Sequence, residues 1–590
     1  MINTLGQPPV RWWSSWVKRS EFFEEDGSLV ADFRRISTPV FRRLRQRLWD
    51  MGRGETEQTC EWDAAGGEVV ALEDLLRAMM KFEPADRPTA DQLLRSEYMV
   101  KWALPAWERQ KRKKNKLMLY MKRIDMPSPI PQPKGLPILG NIFDMIPGNT
   151  WASLNKLAAE HGGAGIFKIK ILTKQLVFIT NAALLEEICD EKRFRKCVTG
   201  PIVEIRSLAH DSLFTAFDNE ESWGIAHRIM APFVSPEAVK EMHMDIRLTT
   251  DDLIWKWTST DSAEQRVDVT NDLDRLNHAA NMKCFFGQHI DCVLGDEPAV
   301  IKAMSDTTFE AVRRPTRPKL LNRLLYQSTF DKDIKICRDY CAQMITKRRN
   351  KPIEQRDLLH ALLHEKDPKT GQSLPDSRVI DEIINIFIGS ATAPNLISFT
   401  LYYLAKNPDE VTRACAEIDA ILGPSGQIEH FHLSQLPYCE AILRESFRLC
   451  ATAPGFNIEP LPTDGPVLLG GEYEIPKTQT MIAILSAVNR DPAVFDDPDA
   501  FKPERMLGEA FDRLPVGVKK GFGNGKRECY GKRYAWEWSL HVLVRIIKDV
   551  DFELADKEYS FDMEGKNFNG AFSVKPYGMV VRTKKRSAAA

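Results

Sequence analysis

One stretch of the sequence combines three glycines with a single cysteine: Phe522-Gly523-Asn524-Gly525-Lys526-Arg527-Glu528-Cys529-Tyr530-Gly531. The glycines allow the backbone to approach a bulky group closely and to adopt positive φ angles. The pattern after Gly531 predicts a helix from Lys532 to Asp549. Cys529 then lies beside a helix N-terminus and two residues after Arg527. Both the helix dipole and the cation favour its thiolate form.

A single thiolate on a tight loop is suited to be an axial ligand of haem iron. Three other interpretations compete with this one. A phosphate-binding loop needs Lys-Ser or Lys-Thr after its last glycine, but Lys532-Arg533 follows Gly531. A catalytic nucleophile needs a base, and the segment supplies none. A buried structural cysteine is equally compatible with the composition of the segment.

The composition of the chain limits the classes of protein to which it can belong. It has 590 residues, of which 43% are hydrophobic and 28% are charged, which is typical of globular proteins and excludes bulk disorder. The net charge of −1 argues against a general attraction to nucleic acid. The sequence has no apolar run of about 18 residues and no signal-peptide pattern, so we expect no transmembrane anchor and an intracellular, cytoplasmic location. The absence of a CxxC pair among the 11 cysteines indicates a reducing compartment.

The pattern along the chain is mainly helical, with short strand candidates near both ends of the region 126–584. One long helix is predicted from about residue 377 to residue 407, where Pro408 ends it. Pro394 lies inside this helix and lacks an N–H group, so we expect a kink near Ser390. A kink in a core helix exposes backbone groups where a small ligand could bind.

The spacing FxxGxRxCxG in residues 522–531 resembles the haem-binding loop of cytochrome P450. Two further segments support the resemblance, since Glu445-Ser446-Phe447-Arg448 is similar to the ExxR motif of that family and 501–505 to its PERF-type segment. The resemblance implies a mainly α fold with small β-sheets and a haem with Cys529 as its axial thiolate. It also implies that Glu445, Arg448 and Arg505 form a structural lock behind the haem.

The resemblance is strongest to the bacterial and fungal self-sufficient fatty-acid hydroxylases, through residues 129–135, 223–228 and 470–473. It implies that the haem is bound by these residues: Cys529, Arg527, Trp223, His227, Phe522, Gly525, Gly531 and Lys196. For the substrate it implies contacts from Phe214, Ile388 and Ala453. Lys174 matches the basic residue that anchors a substrate carboxylate, although a solvated strand lysine is an equal alternative. Phe178 replaces the tyrosine that assists this anchor. An acyl or polyketide-like substrate is therefore suggested.

The resemblance also places Gly389 and Thr392 at the site of oxygen activation. The family usually has an acid immediately before this threonine, but Ala391 stands there. We therefore expect slower or less coupled oxygen activation, or a different reaction. The main hypothesis is a haem-thiolate monooxygenase. The alternatives are a peroxygenase, isomerase or dehydratase that needs no reductase, and a non-catalytic interaction protein with a haem fold.

The domain organisation is predicted as a monooxygenase domain over 126–584 and a frayed tail over 585–590. Too few residues follow Cys529 for the flavin reductase that is fused in the self-sufficient branch. We therefore expect a separate NADPH-dependent flavoprotein reductase, which could dock on basic residues such as Lys526 and Arg533. Residues 1–110 resemble the C-terminal end of a protein kinase without its catalytic segments, and 111–125 form a basic linker.

Overall fold

The computed structural model describes residues 8–25, 44–51, 62–63, 65–107, 127–146, 148–172, 174–259, 265–354, 356–423, 426–462, 465–570 and 572–586. The chain divides into two compact units, Met1–Met126 and Pro127–Ala590. The predicted linker 111–125 lies outside the described residues. Lys585 still belongs to a strand, and Arg586 Nη2 lies 3.1 Å from Asp419 Oδ2, so regular structure extends into the predicted tail.

Besides a helical stretch over residues 97–107, the described part of the first unit contains four short helices. They are α1 (Val10–Ser15), α2 (Leu44–Met51), α3 (Glu68–Met79) and α4 (Ala90–Leu94). Thr89 caps α4, because its hydroxyl accepts from the Gln92 N–H while the Gln92 side chain accepts from the Thr89 N–H. The small core of this unit is formed by Leu44, Leu48, Val69 and Leu72.

The second unit is mainly helical, which confirms the predicted fold class. Its helices are α5 (Thr150–His161), α6 (Ala182–Ile188), α7 (Pro201–Ala209), α8 (Ser222–Met230), α9 (Pro236–Thr258), α10 (Val269–Phe286), α11 (Ala299–Arg313), α12 (Lys319–Leu321), α13 (Gln327–Asn350), α14 (Leu358–His364), α15 (Asp376–Ser390), α16 (Thr392–Lys406), α17 (Pro408–Leu422), α18 (His430–Leu433), α19 (Pro437–Leu449), α20 (Leu485–Val488), α21 (Gly508–Asp512) and α22 (Lys532–Asp549).

The strands of this unit form small sheets. They are β1 (Ile166–Ile171), β2 (Lys174–Ile179), β3 (Phe194–Lys196), β4 (Gln265–Asp268), β5 (Gly455–Pro460), β6 (Val467–Leu469), β7 (Tyr473–Ile475), β8 (Met481–Ile484), β9 (Val550–Leu554), β10 (Phe568–Gly570), β11 (Val574–Pro576) and β12 (Val580–Lys585). The largest sheet has the order β1-β2-β8-β5-β3, with β2 and β8 parallel. A three-stranded sheet has the order β4-β12-β9, and β6-β7 and β10-β11 are two-stranded.

The long helix predicted around Pro394 is present and is interrupted where the sequence predicts. Helix α15 ends at Ser390 and α16 begins at Thr392, with Ala391 between them. Within the described residues, the stretch Asp376–Lys406 is the one helix long and apolar enough to cross a membrane, and most of it is buried inside the fold. Its apolar residues are therefore accounted for by the protein core.

Candidate functional site

The loop around Cys529 is stabilised by a backbone hydrogen bond of its own and by a hydrogen bond to Glu191. The Cys529 N–H donates to the Phe522 carbonyl oxygen over 2.8 Å. Gly525 has a φ of 59°, and a Cβ there would lie 2.0 Å from the Glu191 carboxylate. The same carboxylate accepts from the Lys526 N–H over 2.8 Å. The positive φ therefore favours glycine at 525, and a side chain there would also displace the Glu191 carboxylate from its hydrogen bond.

The Cys529 side chain faces a cavity of about 980 Å³. It is exposed toward this cavity while the surrounding protein screens it from bulk water. Burial raises the pKa of its thiol, and the Gly531 N–H and the charges of Lys196 and Lys532 oppose that rise. Most of the site residues predicted from the sequence line the same cavity: Lys174, Lys196, Phe214, Trp223, His227, Ile388, Gly389, Thr392, Ala453, Phe522, Arg527, Cys529 and Gly531. Gly525 is not among the lining residues.

Two cations, Lys196 and Arg527, lie at one end of this cavity. Lys196 Nζ donates to the Phe214 carbonyl oxygen over 3.3 Å, and Arg527 Nη2 donates to that of Ala216 over 3.0 Å. Burial and then the charge of Arg527 lower the pKa of Lys196 to about 7. Neither cation forms an ion pair with a carboxylate of the described residues. Two adjacent, partly buried basic groups without a carboxylate partner favour the binding of an anionic group.

Two ring donors lie beside Arg527. The Trp223 and His227 rings stack with 4.9 Å between their centroids, and the Arg527 guanidinium lies 5.2 Å from the Trp223 ring. Burial, followed by the charges of Arg228 and Arg527, lowers the pKa of His227, so its neutral imidazole is favoured. This set of N–H donors and cations fits the carboxylates of a porphyrin whose iron faces Cys529.

The helix interruption contributes backbone groups to the cavity wall. Pro394 cannot donate to the Ser390 carbonyl oxygen, and Asn277 Nδ2 donates to it instead over 3.0 Å. The Thr392 hydroxyl donates to the Gly389 carbonyl oxygen over 3.1 Å. At Ala391, where the resemblance implies an acid, the side chain offers no proton. The hydroxyl groups that line this point of the cavity wall belong to Ser390 and Thr392, so a proton there would come from one of them or from solvent.

The structure brings the three residues of the predicted lock together. Arg448 donates to both carboxylate oxygens of Glu445, over 2.7 Å and 2.8 Å, and the Glu445 side chain is 0% exposed. Arg505 Nε lies 3.4 Å from Glu445 Oε1. Arg448 also donates to the carbonyl oxygens of Asn489, Pro498 and Ala500. The pair therefore ties α19 to the segment 489–500 that precedes the cysteine loop.

The predicted substrate residues line the same cavity, and Phe214 among them contacts Lys196, whose Nζ lies 4.5 Å from the centre of its ring. The Phe214 ring meets the Phe572 ring edge-on with 5.1 Å between centroids. Lys174 begins β2, is exposed, and forms no ion pair among the described residues. Phe178 is buried and stacks on Phe167. Because it is a phenylalanine, it has no hydroxyl that could assist Lys174. Any carboxylate anchored here would depend on Lys174 alone among these residues.

Sequence reasoning missed Asn277, Asn385 and Phe572. Asn385 Oδ1 accepts from the Phe214 N–H over 3.2 Å and so positions this aromatic residue over the cavity. Its position inside the apolar run 383–388 could have marked it, because a lone amide in a buried helix face needs a partner. Phe572 carried no such signal, because its contact with Phe214 joins distant parts of the chain.

The family profile of cytochrome P450 matches residues 130–581. The chain belongs to the cytochrome P450 family. Enzymes of this family are haem-thiolate monooxygenases that take electrons from a reductase and oxidise apolar substrates. The predicted family, enzyme class and cofactor are thereby confirmed. The match does not include residues 1–110, so their resemblance to a protein kinase is not supported.

Two relatives illustrate the similarity. The chain is 33% identical over 468 residues to the bifunctional cytochrome P450/NADPH–P450 reductase ascE of Acremonium egyptiacum, covering 78% of this chain and 43% of that protein. It is 36% identical over 464 residues to the self-sufficient cytochrome P450 monooxygenase CYP505E4 of Penicillium freii, with the same coverage of 78% and 43%. The chain thus matches less than half the length of these relatives.

Proposed function

We propose that this P450 hydroxylates an apolar chain that ends in a carboxylate, such as a fatty acid or a polyketide-like acid. The observation that carries the proposal is a single cavity that joins Cys529 and the α15–α16 interruption to Lys174 at the start of β2. Lys174 is a basic lining residue that we do not assign to the haem carboxylates, and an apolar cavity with such a cation favours an amphiphilic substrate, because the chain is desolvated while its charge is paired.

The residues of this chain would have the following roles. Cys529 would supply the thiolate ligand, and Arg527, Lys196, Trp223 and His227 would hold the haem carboxylates. Bound haem supplies the activation of dioxygen. Thr392 would pass a proton from its hydroxyl toward the cavity and recover it from solvent, since Ala391 cannot donate. Phe214 and Ile388 would exclude water from the substrate chain.

We further propose that electrons come from a separate NADPH-dependent flavoprotein. Exposed Lys526, Lys532 and Arg533 lie near the cysteine loop and could contact an acidic partner. Lys526 and Lys532 are partly neutralised by Asp218 and Glu528, at 3.3 Å and 2.9 Å, whereas Arg533 has no ion pair among the described residues. Arg533 is therefore the residue of this patch most available to a partner.

A second candidate function is peroxide-driven oxidation, which Ala391 favours because it removes the usual proton-donating acid. The deciding experiment incubates haem-loaded protein with a series of saturated fatty acids. One reaction contains NADPH and a flavoprotein reductase, and the other contains hydrogen peroxide alone. Hydroxy acids formed with the reductase support the monooxygenase. Product with peroxide alone supports the second candidate, and no product in either reaction contradicts both.

A further inference from the structure

A cluster of imidazole and carboxylate groups lies outside the haem cavity. It combines His243 of α9, His430 at the start of α18, and Glu537 of α22. Glu537 Oε1 lies 3.2 Å from His243 Nδ1 and 2.6 Å from His430 Nδ1. One ligand atom from each residue lies within 4.8 Å of the other two. Three separate elements therefore direct metal-ligating atoms to one point.

The hydrogen bonds of His243 determine which nitrogen carries its proton. His243 Nε2 lies 3.1 Å from the Ile428 carbonyl oxygen, which can only accept, so Nε2 carries the proton and donates. In the neutral imidazole, Nδ1 then presents a lone pair to Glu537 Oε1. A nitrogen lone pair and a carboxylate oxygen at 3.2 Å repel each other unless a proton or a metal ion lies between them. The contact therefore needs either a proton or a metal ion at this point.

His541 adds a second indication, because it lies one helical turn after Glu537 and is 0% exposed. Neither of its ring nitrogens has a hydrogen-bond partner among the described residues. Its ring meets that of His243 edge-on with 4.9 Å between centroids. A buried, unpartnered imidazole therefore lies directly beside the cluster.

We propose that His243 Nδ1, His430 Nδ1 and Glu537 Oε1 bind one divalent transition-metal ion of the zinc class. Imidazole and carboxylate are the ligands that Zn²⁺ prefers besides thiolate. In a tetrahedral zinc site, ligand atoms are about 3.3 Å apart. The His243–Glu537 distance of 3.2 Å is close to this value, whereas the 2.6 Å between His430 and Glu537 is a hydrogen-bond distance that must widen when the ion binds. The bond from His243 Nε2 to Ile428 is the backbone support that orients a metal-binding imidazole.

The surroundings allow the ion to enter and to be neutralised. The His430 side chain is 35% exposed, which gives the ion a route from solvent. The nearest cations, Arg247 and Arg545, are each paired with carboxylates, Glu429 for the first and Asp549 for the second. A bound ion would join α9 and α18 to α22, the helix that directly follows the Cys529 loop. The site would therefore stabilise the fold rather than take part in the oxidation.

The test uses the full chain, loaded with haem, without an affinity tag and stripped of metal by a chelator. Zinc chloride is titrated by calorimetry, and bound zinc is measured by mass spectrometry. We expect one zinc per chain and a zinc-dependent rise in Tm. His430→Gln should weaken zinc binding at least tenfold and abolish the rise in Tm. Its haem content should equal that of the unchanged protein, which excludes unfolding as the cause.

The matched control is His360→Gln. His360 and His364 lie one turn apart on α14, with 4.8 Å between their rings, and form the other plausible histidine pair. This variant should bind zinc as the unchanged protein does. Zinc binding that survives in His430→Gln, or that is lost in His360→Gln, overturns the proposal. So does a chain that binds no zinc, because a proton alone would then bridge the cluster.

Discussion

Asn277 Nδ2 donates a hydrogen bond to the carbonyl oxygen of Ser390 over 3.0 Å. In an unbroken helix this oxygen would accept from the backbone of residue 394, which here is Pro394. A side chain of α10 thus replaces the backbone donor that Pro394 lacks. The interruption between α15 and α16 is therefore stabilised from outside the helix that contains it.

Replacing Asn277 tests this relationship. Asn277→Ala leaves the Ser390 carbonyl oxygen without its donor, which costs about 1–3 kcal/mol of unfolding free energy. In a Pro394→Ala background the helix can supply its own N–H, so the same replacement should cost clearly less. Urea unfolding of the unchanged protein, the two single variants and the double variant measures the cost of Asn277→Ala in both backgrounds. Equal costs in the two backgrounds would show that Asn277 does not serve the oxygen freed by Pro394.

The Glu445–Arg448 pair should be essential for stability. Glu445→Gln leaves the Arg448 charge buried without its counter-charge, and breaking such a pair costs about 3–5 kcal/mol. We expect a strong fall in unfolding free energy and in haem content. The control is Arg444→Lys, which weakens the partly exposed pair between Arg444 and Glu440 at 2.7 Å and should cost under about 1 kcal/mol. Similar losses in the two variants would contradict the account.

The unfolding free energy should fall as the pH rises, because the buried carboxyl group of Glu382 loses its proton. Burial raises the pKa of its carboxyl to about 8, against partial compensation by Arg378 and the Leu213 N–H. Between the usual carboxyl pKa and about 8 the folded chain therefore binds more protons than the unfolded chain. Its contribution is complete at low pH and is lost as the pH rises through the folded pKa.

The variant Glu382→Gln removes this titration. Its unfolding free energy should fall less steeply between pH 5 and pH 8 than that of the unchanged protein, with a difference of up to about 1.4 kcal/mol per pH unit. Thermal or urea unfolding across this pH series gives the comparison. Parallel curves would mean that Glu382 is ionised in the fold throughout the range.

Lys174 should affect carboxylate substrates selectively. If it pairs with the substrate carboxylate, Lys174→Gln should raise KM for a fatty acid about tenfold, since a charge-assisted hydrogen bond contributes about 1.5 kcal/mol or more. An alcohol of equal chain length should be unaffected. Lys170→Gln is the matched control, because Lys170 is also exposed on the same hairpin but does not line the cavity. A KM for the acid that Lys174→Gln leaves unchanged would show that Lys174 is an ordinary solvated lysine.

The features that depend on a local sequence pattern could be predicted from the sequence. The loop 522–531, the helix of Lys532–Asp549 and the interruption near Ser390 follow from glycine, proline and helical periodicity, and the structure has them in place. Contacts between distant segments left no such pattern. Three contacts arise only when segments that are distant in the sequence pack together. They are the hydrogen bond from Asn277 to Ser390, the hydrogen bond between Asn385 and Phe214, and the contact between His243 and Glu537.

The central claim is that the Cys529 thiolate is the axial ligand of the haem. Its most direct test is the absorption spectrum of the reduced, carbon monoxide-bound protein after reconstitution with hemin. We expect the strongly red-shifted Soret band that a thiolate ligand produces, and we expect Cys529→Ser to lose this shift. Cys450→Ser, which changes a buried cysteine directly after the end of α19, should keep it. A red-shifted band that persists in Cys529→Ser would contradict the account.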